Sequence, residues 1–186
     1  MKKWLVLAAC GAMLLAGWRP VPREPEGLAL VRVLGVDGAD PLTLTAVCGG
    51  EENGPERGRC AGGSFGEALA CLPWSGEEEL SLTSVSYIIV GRDADLRDVL
   101  LSALRNRELG ASATVWLAEE GAGALLDSCA DPASRLELLA RRGIEAPTVV
   151  EALACLEGGE ILTLPLLAGR EMELIDWEEW SGSLEQ

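Results

Sequence analysis

The spacing of apolar positions divides the chain into strands and helices with short connections. "LALVRVLGVD" (28–37) and "LTLTAVC" (42–48) are strand-like runs joined by "GADP", a turn composition. In the second run Leu42, Leu44 and Ala46 alternate with Thr43, Thr45 and Val47, the two-residue period of a half-buried strand. Residues 49–63, rich in glycine, read as a mobile loop. Ser64-x-x-Glu67 then matches a capping box that opens a short helix ended by Pro73. The stretch 84–90 is apolar nearly throughout and reads as a central strand.

Asp93 is the expected N-cap of a helix over 94–108. In that helix Leu96, Val99, Leu100, Ala103 and Leu104 form one apolar stripe. A strand at 112–118 follows. Short-linked strand–helix–strand order predicts that 84–90 and 112–118 are adjacent and parallel, with the helix burying Leu96, Leu100 and Leu104. Further helices are expected at 121–129, at 132–142 (capped by Asp131, stopped by Gly143) and at 148–157, behind the capping box Thr148-x-x-Glu151. "EILTLPLL" and "EMELIDWEEW" complete the pattern as two strands. The expected fold class is α/β, a mixed β-sheet with a strand–helix–strand crossover and helices packed on the sheet, formed by residues 28–186 as one domain.

Composition changes the picture in two ways. Hydrophobic residues make up 48% of the 186 positions, which argues against disorder. The formal net charge of −15 repels phosphate backbones, so nucleic acid is not an expected partner. The N-terminus has its own layout: Lys2 and Lys3, an apolar run from Trp4 to Trp18, then "RPVPREPEG". That is the order of a secretory signal, and the run is shorter than the roughly 20 residues a membrane span needs. Residues 1–18 therefore read as a signal peptide or membrane anchor, residues 19–27 as a linker, and the protein as exported.

Export bears on the six cysteines. None forms a CxxC pair and the chain has no histidine, so a zinc site has little support. Cys48 and Cys60 flank the glycine-rich loop and are the candidate disulfide. Cys71, Cys129 and Cys155 fall on apolar helical faces, where a thiol packs as a small hydrophobe.

Other candidates for chemistry are thin. "GVDGAD" holds Asp37 and Asp40 but lacks the ligand count of a calcium loop, and reads as a strand end and turn. "GAGALL" (121–126) has too few glycines for a dinucleotide fingerprint and reads as a helix N-terminus. Glu77–Glu79, Glu119–Glu120 and Glu178–Glu179 read as solvated acidic runs. The serines of "TSVSY" have no histidine or lysine motif to activate them. No catalytic, cofactor-binding or metal residue is expected.

An ordered series of segments nonetheless matches a family. "REPEGLALVRVLGVD", "GGSFGEALACL", "SVSYIIVGRD" and "VLLSALRNRELGASATVWLAEEGAGALL", behind a signal, resemble the N-terminal domain of the C subunit of spore germinant receptors, the Ger(x)C family. Ser64–Ala68 parallels the family's "TxxEA" element, "SVSYIIVGR" its "HxKxxIIGE" strand, Leu104–Leu109 its "LLRDPELR" helix end, and 115–126 its "VxVAxGxAxxLL" strand and helix. "LIDWEEWSGSLE" is similar to its closing strand pair. The chain departs from the pattern at Ser84 and Ser86, where the family has basic residues, and it ends where the family's C-terminal domain begins. A third departure is Trp18, following Gly17 where the lipobox cysteine belongs; an earlier lipobox, Leu7–Cys10, leaves lipidation of Cys10, conventional cleavage and an uncleaved anchor all open.

The resemblance implies a non-enzymatic, membrane-associated subunit at the outer face of the inner spore membrane. Its partners would be the membrane-embedded receptor subunits, with the N-terminal anchor meeting the membrane surface. The alternatives are an unrelated secreted binding module on the same scaffold and a secreted hydrolase.

Overall fold

The computed structural model describes residues 28–49, 55–72 and 79–181. Strand β1 (Leu28–Asp37) runs near the middle of an eight-stranded mixed sheet. β2 (Leu42–Cys48) and β3 (Glu56–Gly62) extend it antiparallel on one side. After helix α1 (Phe65–Ala70), β4 (Glu79–Ser81) pairs in parallel with the first residues of β1. On the other side β5 (Tyr87–Gly91), β6 (Thr114–Ala118) and β7 (Ile161–Ala168) follow in parallel, and β8 (Glu173–Ser181) closes the sheet antiparallel to β7. The protein has an α/β fold.

Alternation along the strands feeds two cores. Val31, Leu34 and Val36 of β1 and Leu44 and Ala46 of β2 join the larger one with α1, α2 (Leu96–Arg105) and α5 (Val149–Gly158). Val33, Val47, Ile89 and Trp116 point the other way, into a smaller core with α3 (Ala122–Ser128) and α4 (Pro132–Arg141). The crossover expected from sequence is present. β5 and β6 pair in parallel from Tyr87↔Thr114 to Gly91↔Ala118, with α2 between them in the chain.

Helix α3 is only two turns long, too short to hold itself in water. It is fixed at both ends by β-strand side chains. The Asp37 carboxylate, at the end of β1, accepts the N–H groups of Ala122 (2.5 Å) and Gly123 (2.7 Å). The Arg57 guanidinium, on β3, donates to the carbonyls of Leu126 (3.1 Å) and Cys129 (2.6 Å). Negative charge at the N-terminus and positive charge at the C-terminus both complement the helix dipole. Space for the carboxylate comes from glycine: a Cβ on Gly91 would collide with it, and Gly121 turns into the helix at φ +97. Arg59, two residues from Arg57, adds an ion pair to Asp127 of α3 and a bond to the Thr45 hydroxyl.

Several expectations need correction. Residues 56–62 are not a mobile loop but strand β3, paired with β2 from Cys48↔Glu56 to Leu42↔Gly62. Its side chains are too polar to register as a strand by hydrophobicity. The α2 cap is Asp95, whose carboxylate accepts the Asp98 N–H, rather than Asp93. Leu104 is 45% exposed. At 3.6 residues per turn it lies about 80° around the helix from Leu96, on the flank of the buried stripe. At Ser64 half of the capping box forms: its hydroxyl accepts the Glu67 N–H, while the Glu67 carboxylate bonds the Gly63 N–H instead of reaching back to Ser64. The box at Thr148 and Glu151 is complete, and Asp131 caps α4 as expected.

The clamp on α3 predicts an ordered mutational series. A hydrogen bond to a charged group nets about 1.5–3 kcal/mol, so Asp37→Ala should lower the free energy of chemical unfolding by about 2–4 kcal/mol. Asp37→Asn, whose amide oxygen still accepts one N–H, should lose less. A loss within about 0.5 kcal/mol for the alanine variant, the range of ordinary surface changes, contradicts the clamp.

Candidate functional site

The parallel half of the sheet does not stay closed along its length. Pro165, in the middle of β7, has no N–H to donate, and β6 and β7 pair only at Leu117↔Leu166 and Ala118↔Leu167. The start of β6 bonds instead to the connection between α4 and α5. The Val115 N–H donates to Pro147, the Val149 N–H donates to Ala113, and Thr114 bridges Thr148. Where the connection wedges in, a groove of about 770 Å³ opens beside the first residues of β5 and β6. That volume lies within the range of small-ligand and peptide sites.

The groove is built from aromatic and aliphatic surface. Tyr87, Trp116 and Trp177 line it with Ile144, Ala146 and Pro147. Trp177 stands on β8 opposite Pro165 and is 42% exposed. Helix α3 packs over β1, β2, β5 and β6 and α4 over β1, which leaves this part of the β7–β8 face open.

Most polar groups of the lining are engaged with their own neighbours. Trp116 Nε1 donates to the Thr114 hydroxyl (2.9 Å), which itself donates to the Ser86 carbonyl, and the Ser86 hydroxyl donates to the Ser84 carbonyl. Burial, and after it the Glu137 carboxylate, push the Tyr87 phenol above its ordinary value, against the guanidiniums of Arg32 and Arg141. It is a neutral hydroxyl at physiological pH. The two lining carboxylates are Glu145 and Glu151, and among the described residues no lysine or arginine lines the groove. Hydrogen bonds from the Thr148 backbone, then from its side chain, hold the Glu151 carboxyl below its ordinary value, so it is charged at neutral pH. The arrangement is an apolar trough with a negative rim.

The residues singled out by sequence lie elsewhere. Cys10 is outside the described residues. Cys48 and Cys60 do not form the expected disulfide: Cys60 is bonded to Cys71 of the α1 C-terminus, with Cα atoms 5.8 Å apart. The hairpin register explains this. Cys60 sits opposite Leu44, four residues along β2 from Cys48, a displacement of about 13 Å at strand rise. A disulfide needs Cα atoms within about 7 Å. Cys71 is therefore a bonded cysteine at the surface rather than a buried thiol. Cys129 is buried, as expected, and burial pushes its thiol up.

Asp37, expected to be a plain strand end, caps the helix that begins in "GAGALL". The carboxyl ends of parallel strands are where α/β sheets commonly bind ligands, and here a carboxylate of the chain itself fills the helix N-terminus. Asp40 is exposed in the β1–β2 turn. Glu119 and Glu120 are exposed beyond β6, and Glu178 pairs with Arg92 (2.8 Å). No group of metal-ligating side chains is assembled among the described residues. The groove itself went unnoticed in the sequence, although Trp177 within the acidic "IDWEEW" and Pro165 within a strand were visible signals.

No family model, no curated protein and no solved structure matches the chain. No helix among the described residues is long and apolar enough to cross a membrane.

The corrected disulfide is directly checkable. Digestion of the oxidised protein should yield one linked peptide pair containing Cys60 and Cys71, and none joining Cys48 to Cys60. The bridge has a sequence separation of 11, so its loss in Cys60→Ser should cost about 2–3 kcal/mol of stability. A Cys48–Cys60 peptide contradicts the assignment.

Proposed function

We propose that the chain is a non-catalytic, exported binding subunit resembling the C component of a spore germinant receptor. It acts in spore germination at the outer face of the inner spore membrane, against the membrane-embedded subunits. The ordered motif series carries the family reading, from "REPEGLALVRVLGVD" through "GAGALL". The groove supports the binding role. Its surface is aromatic and aliphatic, and Ser86, Thr114 and Glu151 already bond groups of the protein itself. Such a surface suits recognition of another molecule better than proton transfer to one.

The acidic surface offers no attraction to anionic lipid, so residence at the membrane requires an anchor or a partner. Lipidation of Cys10 or retention of the apolar N-terminus supplies the first, and the multi-span subunit the second.

Fractionation of spores carrying a tagged copy tests this. The protein should be recovered in the inner-membrane fraction with a multi-span receptor subunit, and its deletion should abolish the germination response. Release as a freely soluble protein, with no co-purifying subunit and normal germination, contradicts the proposal and favours an independent secreted binding module.

A further inference from the structure

We infer that the groove is a docking site for an extended, lysine- or arginine-bearing apolar segment of a membrane protein. The inference builds on the proposed function for the location of the partner, and on the structure for its chemistry. The apolar part of the occupant follows from Tyr87, Trp116, Trp177, Ile144 and Pro147. Trp177 is large, half-exposed and beside a neighbouring apolar surface, the kind of residue that dominates binding energy. The cationic part follows from the rim. Glu145 and Glu151 line the groove, and Glu179, opposite Thr163 on β8, extends the negative charge along the strand. A second copy of this chain would bring the same carboxylates together and is disfavoured. An anionic lipid surface is disfavoured on the same ground.

Position completes the case. β1, β5 and β6 run parallel, so the start of β1 lies at the same end of the sheet as Tyr87 and Thr114. The Ser86 N–H donates to Arg32 of β1. The N-terminal segment thus departs from the groove end of the domain. Residues 19–27 reach at most about 30 Å even when fully extended. An anchor at residues 1–18 therefore holds the groove close to the membrane, in reach of a loop from a membrane-embedded subunit.

The full chain, reconstituted in phosphatidylcholine vesicles at physiological salt, is titrated with a fluorescein-labelled nine-residue peptide alternating leucine with lysine. A matched peptide with glutamate in place of lysine is the charge control. The lysine peptide should bind saturably and the glutamate peptide should not. Trp177→Ala should weaken binding at least tenfold and Glu145→Gln severalfold. Trp177→Phe should keep most of the affinity, and Leu104→Ser, an exposed apolar position on the opposite face, all of it. In a second arm, the emission lost on Trp177→Phe should be the same in brominated and in plain phosphatidylglycerol vesicles, a difference that leaves out the quenching of Trp4 and Trp18 in the anchor. Absent binding, binding indifferent to Trp177→Ala, or equal binding of both peptides overturns the inference. Quenching of that Trp177 contribution by the brominated lipid overturns it in favour of a lipid surface. None of these measurements involves a spore or a receptor subunit, so failure here leaves the fractionation result standing, and the reverse holds.

Discussion

A two-turn helix pinned across the sheet organises this protein. Asp37 on β1 and Arg57 on β3 approach α3 from two strands and satisfy backbone groups at both of its ends. Each charged group sits where the helix dipole favours it. The cost of ordering so short a helix is offset by partners the sheet has already fixed, and α3 in turn covers β1, β2 and β5. The glycines around the carboxylate, the polarity of β3 and the short β6–α3 connection all follow from that arrangement. β3 tolerates its arginines because they are helix ligands.

Covering the β1 side of this face leaves the β7–β8 side open. With α3 and α4 drawn toward β1, the segment between α4 and α5 returns past the start of β6 and takes up hydrogen bonds that β7 would otherwise make. Pro165 suits a strand whose N-terminal half has lost its parallel neighbour. The groove is the consequence: Trp116 at its base belongs to the smaller core, and Trp177 at its edge belongs to none. The Asp37 cap sits at the carboxyl ends of the parallel strands, and the groove opens beside the first residues of β5 and β6.

Much of this was legible in the chain and some was not, for identifiable reasons. Strands with apolar alternation, the β5–α2–β6 crossover and the caps at Asp131 and Thr148 announce themselves locally. β3 does not, because Arg57 and Arg59 satisfy partners far away in sequence instead of burying apolar surface. The Cys60–Cys71 pairing depended on hairpin register, which a loop reading of 49–63 concealed. The role of Asp37 required knowing that residue 122 would return to residue 37 over the sheet. The groove is a tertiary product of one missing N–H at Pro165 and one inserted connection, and neither the periodicity of β6 nor that of β7 announces the insertion.

The central claim is that α3 owes its stability to groups on the sheet rather than to itself. Hydrogen exchange at the amides of Ala122 and Gly123 tests it most directly, since an isolated two-turn helix frays while a clamped one opens only with the whole domain. The account predicts that both amides exchange with an opening free energy equal to that of global unfolding, alongside the amides of β5 and β6. Exchange at the rate of unprotected surface amides, with β5 and β6 still protected, would contradict it.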